Sequence, residues 1–174
     1  IGKRKSPLTT AGIVIHENKI IGASIGDIWN KKIYGLDKKG LYFKVNKEKN
    51  YLTINKEKRK LSLDKAFVAA YAPSSDRMKI ISPLFEVCPY VHNNGGQPFA
   101  LRVVEGQSVK TYSAALEAKP VGLWEHIGPL MAEYAGAFVS RLNGSSLELN
   151  PELKQTSITA VNYQIRKDII DALK

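Results

Sequence analysis

Sixteen carboxylates, three histidines and one cysteine are the side chains of this 174-residue chain that could do acid–base, nucleophilic or metal chemistry. Their spacing decides which. His16, His92 and His126 each lack a histidine or cysteine partner at ligand spacing, so no zinc-type constellation forms in sequence. His92-Asn93-Asn94 invites a nuclease reading, but the Gly95-Gly96 that follows explains the triplet as turn chemistry. His126 beside Glu125 reads as structural or exposed. Cys88 lies between apolar residues and Pro89 with no adjoining cation, which fits a buried, inert thiol. A lone cysteine also excludes an internal disulfide and fits a reducing compartment. Gly22-Ala23-Ser24-Ile25-Gly26 lacks the Lys-Ser/Thr ending of a nucleotide phosphate loop. No catalytic residue, metal ligand or cofactor is therefore assigned. An enzyme would need a site assembled from distant segments, with His92, Glu86 and Glu105 as the set to watch.

Binding residues are easier to find. Residues 31–65 carry twelve Lys or Arg against four acids, a net +8 of the chain's +10. Residues 1–65 hold 16 basic residues against 6 acids, and residues 66–174 hold ten of each. A segregated excess of this kind points to an anionic partner. Lys31, Lys32, Lys38, Lys39, Lys44, Lys47, Lys49, Lys56, Lys58, Arg59 and Lys60 would neutralise phosphates, and Tyr42 and Tyr51 would stack on unpaired bases. Lysine outnumbers arginine eleven to one in this stretch, which favours diffuse backbone contact over bidentate base reading. Cross-strand packing is the competing role for the tyrosines.

The elements that would position these residues follow from pattern. Residues 1–10 read as a basic flexible tail and 11–174 as one α+β domain, with a largely antiparallel sheet first and helices gathered late. Two β-branched runs around His16-Glu17-Asn18 read as a hairpin. Ser24, three residues before Asp27, suggests a short helix through Trp29 and Ile33, with Trp29 as a core anchor. Val45-Asn46-Lys47-Glu48-Lys49 recurs as Ile54-Asn55-Lys56-Glu57-Lys58, so a meander over 40–46, 50–55 and 59–64 is expected. The apolar run 66–71 is either a buried helix or a central strand. Residues 78–91 read as edge strands broken by Pro83 and Pro89, 98–104 as a further strand, and 109–115 as either a continuation of the meander or a helix. The three-and-four spacing from Leu123 to Leu142 predicts a long helix kinked at Pro129, and that from Ile158 to Leu173 predicts a terminal amphipathic helix.

Lys110-Thr111-Tyr112-Ser113-Ala114-Ala115, followed by Trp124-Glu125-His126, resembles short pieces of rhabdovirus matrix proteins. That likeness implies a viral structural protein that self-assembles on membrane and ribonucleoprotein. The run from Lys60 to Tyr71 resembles the segment before the metal site in some homing nucleases, but the His-Asn-His core is absent and no activity carries over. The expectation is a non-catalytic protein binding nucleic acid, RNA or single strands, through a lysine-rich meander. A matrix-type protein on an anionic membrane is the alternative, an enzyme the second, and a homo-oligomer fits either. No apolar run approaches the roughly 20 residues that span a bilayer, and no secretion signal opens the sequence, so an intracellular place is expected.

Overall fold

Glu17 and Asn18 sit at φ 48° and 57°, the left-handed pair that a two-residue hairpin turn requires. They join β1 (Thr9–His16) to β2 (Lys19–Asp27) in antiparallel register, His16 opposite Lys19. The computed structural model describes residues 9–28, 30–93, 96–106 and 111–174. Most of the expected basic tail, and Trp29, lie outside the described residues. Turns of the same economy continue the meander through β3 (Lys32–Asp37), β4 (Gly40–Val45) and β5 (Glu48–Tyr51), giving a five-stranded antiparallel sheet in sequence order. Asn46 takes the left-handed conformation, φ 57°, at the β4–β5 turn.

Two expectations fail here. Ser24 starts no helix: it pairs with Gly12 and Gly35 in the middle of β2. The third meander strand is also absent. After Tyr51 the second copy of the echo becomes an Asx turn, Asn55 Oδ1 accepting from the Glu57 amide at 2.8 Å, and then two 3-10 turns, Lys58–Lys60 and Leu63–Lys65.

The second sheet has strand order β7-β6-β8-β10-β9. β6 (Phe67–Ala70) is its parallel heart, hydrogen-bonded to β7 (Tyr90–His92) on one side and β8 (Ala114–Val121) on the other. Covered on both faces, it is continuously apolar, which is why alternation could not identify it. β10 (Gln155–Ala160), antiparallel to β8, and β9 (Phe138–Ser140), antiparallel to β10, complete the sheet.

Where strands were expected over 78–91, the chain forms α1 (Ser75–Ile81) and α2 (Leu84–Val87) before β7. Ile81, Leu84 and Cys88 are buried at three-and-four spacing, a helical stripe, and Pro83 and Pro89 bracket α2 rather than marking a sheet edge. Residues 98–104 likewise belong to α3 (Gln97–Glu105). This helix lies between the two sheets and touches β2, β8 and β10, so Leu101, Val103 and Val104 are all buried, and Arg102 and Glu105 alone are too few to reveal the helical period. The 123–142 helix shortens to α4 (Ile127–Glu133), and Pro129 falls in its first turn, where it needs no kink. The terminal helix begins later than expected, as α5 (Tyr163–Ala172), because residues 155–160 are strand. Asn162 caps it, accepting from the Ile165 amide at 2.7 Å. The class is α+β, as expected, and one apolar cluster joins the sheets through Ile25, Tyr34, Val68, Leu101 and Met131.

Candidate functional site

β6 enters the second sheet first; the chain then lays β7 on one flank and β8 on the other, all three parallel. The order of strands reverses between β6 and β8, and in open sheets the crevice outside the carboxyl ends at such a point is where ligands bind. Four features meet there. Arg77 of α1 donates through Nη1 to Glu117 Oε1 at 2.7 Å, one residue beyond the Ala70–Leu116 pairing. The guanidinium carbon stands 5.2 Å from the Tyr71 ring centroid. Glu125, in the 3-10 turn Leu123–Glu125, lines with Glu117 a crevice of about 30 Å³ that also includes Gly96 at the start of α3. Thr159 of β10 lines it too, with a buried Oγ1 that has no hydrogen-bond partner among the described residues. Burial pushes the Glu117 carboxyl up, Arg77 and the Lys119 amide pull it back, and the charge on Glu125 adds to the rise.

The amino end of the same sheet opens a second, larger cleft of about 600 Å³ between α3 and the first sheet. Asp27, Lys32 and Tyr34 face Arg102 and Glu105 across it. Tyr34 donates its hydroxyl to Glu105 Oε2 at 2.7 Å, and Lys32 pairs with Glu105 Oε1. Burial, and then the Glu105 charge, hold the Tyr34 phenol far above its usual range.

The residues expected to bind nucleic acid scatter. Lys58 is buried, donating to the carbonyls of Val103 at 2.9 Å and Tyr112 at 2.8 Å, and burial lowers its pKa to about 8. Lys32 turns into the large cleft. Lys49 pairs with Asp37, and Lys60 with Glu57 at 3.0 Å. Tyr42 lies over Gly35, makes an edge contact with Tyr51 at 5.9 Å, and carries the Lys49 ammonium 3.8 Å above its ring. The tyrosines are thus a cross-strand pair. Lys31, Lys38, Lys39, Lys44, Lys47 and Lys56 are exposed on turns and strands, and Arg59 reaches the Gly136 carbonyl at 3.5 Å. Of the assembled set, His92 and Glu105 line the same cleft, whereas exposed Glu86 on α2 does not. His126 is buried, with Nε2 3.0 Å from the Gln155 carbonyl, and burial lowers its pKa. Cys88 is buried with its thiol 3.3 Å from the Ala66 carbonyl, and burial raises its pKa.

Sequence reasoning missed Arg77, Glu117 and Glu125. The available signal was small: one acid interrupting the apolar run Ala114-Ala115-Leu116-Glu117-Ala118, and one arginine in α1, the first helix after β6.

No protein-family model and no curated protein matches the amino-acid sequence. The fold does match. The architecture is similar to that of solved structures described as inositol monophosphatases. A dual specific IMPase/NADP phosphatase bound with D-inositol-1-phosphate superposes with TM-score 0.72 at 16% identity, over 92% of this chain and 58% of that one. A Pyrococcus horikoshii protein described as hypothetical, with similarities to inositol-1 monophosphatase, gives 0.74 at 19%, over 95% and 62%. An IMPase/NADP phosphatase complexed with Mg²⁺ and phosphate gives 0.69 at 17%, over 91% and 56%. The chain therefore spans about three-fifths of the length of these structures. This likeness overturns the expectation of a non-catalytic nucleic-acid-binding or viral matrix protein, and the dispersal and internal pairing of the lysines explain why their charge misled. Among the described residues no helix is long and apolar enough to cross a membrane.

Proposed function

We propose that the protein processes phosphate monoesters, and that these 174 residues bind the ester at the carboxyl ends of β6 and β8. One coincidence carries the reading. A fold shared with phosphatases over 92% of the chain has, at its topological switch point, an arginine, a buried hydroxyl without a partner and the amino end of a helix.

Each part suits a phosphoryl group. The planar Arg77 fork matches paired phosphoryl oxygens, and Glu117 with the Tyr71 ring holds its plane before an ester arrives. The amino end of α3 contributes the positive end of its dipole, and Thr159 Oγ1 a hydrogen bond. Glu125 is the exposed carboxylate of this edge. In hydrolysis it would accept the proton of the water whose oxygen bonds to phosphorus while the ester oxygen departs.

A metal ion is what the Mg²⁺-bound neighbour suggests, and the described residues do not fit one. No group of three His, Cys, Asp or Glu among them could hold a cation. The edge offers two carboxylates, and Glu117 is already committed to Arg77. The described part of this chain thus supplies ester recognition without a metal cage of its own.

Release of inorganic phosphate from inositol 1-phosphate and from NADP, with and without Mg²⁺, tests the activity, and calorimetric titration of inositol 1-phosphate tests the binding. Saturable binding weakened by Arg77→Gln supports the reading. Absence of both binding and release contradicts it.

A further inference from the structure

The cleft at the amino end of the sheet is separate from the ester edge, and its lining is divided by chemistry. Its floor is a ladder of rings. Tyr112 and His92 stand 5.8 Å apart and His92 and Phe67 6.0 Å; behind these lining rings Phe67 stacks on Tyr90 at 4.6 Å and Tyr112 meets Phe99, a wall of the ester crevice, at 5.5 Å. The Arg102 guanidinium carbon lies 4.8 Å from the Phe99 centroid and so continues the ladder as a cation. Opposite are the polar groups of β2 and β3.

The accessible charge in this cleft is positive. Asp27 is 1% exposed and occupied by Asn30, whose amide and Nδ2 donate to it at 3.2 and 2.6 Å. The Glu105 side chain is 17% exposed and accepts from both Lys32 and Tyr34. The Arg102 side chain is 34% exposed, and its nearest approach to Asp27 is 3.7 Å, too long for a hydrogen bond. The carboxylates are engaged below the surface while a guanidinium with spare donors stands at the end of an aromatic floor. A volume of about 600 Å³ suits a small molecule, and an apolar surface with a few convergent polar groups is the usual make-up of such sites.

We infer that this cleft binds a small molecule made of a planar aromatic ring bearing an anionic group, the ring lying against Phe67, His92 and Tyr112 and the anion on Arg102. The anion is a phosphate or a carboxylate, since both present paired oxygens to a guanidinium. A polar ring can also donate to Glu105, whose carboxylate faces the same space.

Calorimetric titration of the whole chain with AMP, adenosine, inorganic phosphate and indole-3-acetate tests this. AMP, indole-3-acetate or both bind, and adenosine and phosphate alone bind far more weakly; which acid binds identifies the anion. Arg102→Gln weakens the bound probe about tenfold, the scale of one charge-assisted hydrogen bond. His92→Ala, at an exposed strand end away from the charged wall, weakens it about threefold through the lost ring contact and leaves the melting temperature unchanged, so a folding defect in the first variant does not hide the answer. Arg77→Gln leaves this binding intact, which separates the cleft from the ester edge. The inference is overturned if adenosine binds as tightly as AMP, if Arg77→Gln abolishes binding that Arg102→Gln and His92→Ala spare, or if no probe saturates.

Discussion

Arg77 and Glu117 lie 40 positions apart, yet meet at 2.7 Å just beyond the end of β6, beside the middle of β8, with side chains 19% and 16% exposed. A pair so shielded is coupled: removing one member strands the other charge in a desolvated place. Arg77→Met is expected to destabilise the fold by about 1–3 kcal/mol, Glu117→Leu by a similar amount, and the double variant by less than their sum. Urea unfolding of the three variants reads the coupling. Additive losses would show that the pair is not a unit.

Lys58 sets a pH signature. Its pKa is lowered from 10.5 to about 8 because burial disfavours the ammonium, and no carboxylate offsets this. Between pH 8 and 10.5 the unfolded chain holds the proton that the folded chain has released, so stability contributed through Lys58 rises with pH across that window. Below pH 8 both states are protonated and the full desolvation penalty is present. The gain is about 2–3 kcal/mol and is read as the difference between the protein and Lys58→Met in denaturant titrations at pH 7.5 and 10. Equal pH slopes for the two proteins would refute a buried, shifted Lys58.

Asn162 joins three segments. Its Oδ1 caps α5 at the Ile165 amide, while Nδ2 donates to the carbonyls of Arg59 at 3.0 Å and Leu61 at 2.9 Å. Asn162→Ala is expected to lose about 2–3 kcal/mol, and Asn162→Asp, which keeps the cap but not the two donors, about half of that. Thermal melts distinguish them; equal losses would mean that the two Nδ2 donors alone matter.

What could be read in advance follows the range of the interaction. The Glu17-Asn18 and Asn46-Lys47 turns were legible because a left-handed residue between alternating strands is a local requirement. The α3 segment was not. Most of its residues are apolar because it is sandwiched between sheets, and Arg102 and Glu105 are too few to mark a helical period. Lys58 looked like one more surface lysine of the echo, since its two carbonyl partners are 45 and 54 positions away. The ester edge was invisible for the same reason: Arg77, Glu117, Glu125 and Thr159 are isolated in sequence, and only the reversal of strand order about β6 brings them together.

The central claim is that this edge recognises a phosphate ester through Arg77. Its most direct test is calorimetric titration of inositol 1-phosphate into the protein and into Arg77→Gln. The account predicts saturable binding by the protein and a loss of about tenfold or more in the variant, the worth of one charge-assisted contact. Identical isotherms, or no heat of binding in either protein, would contradict it.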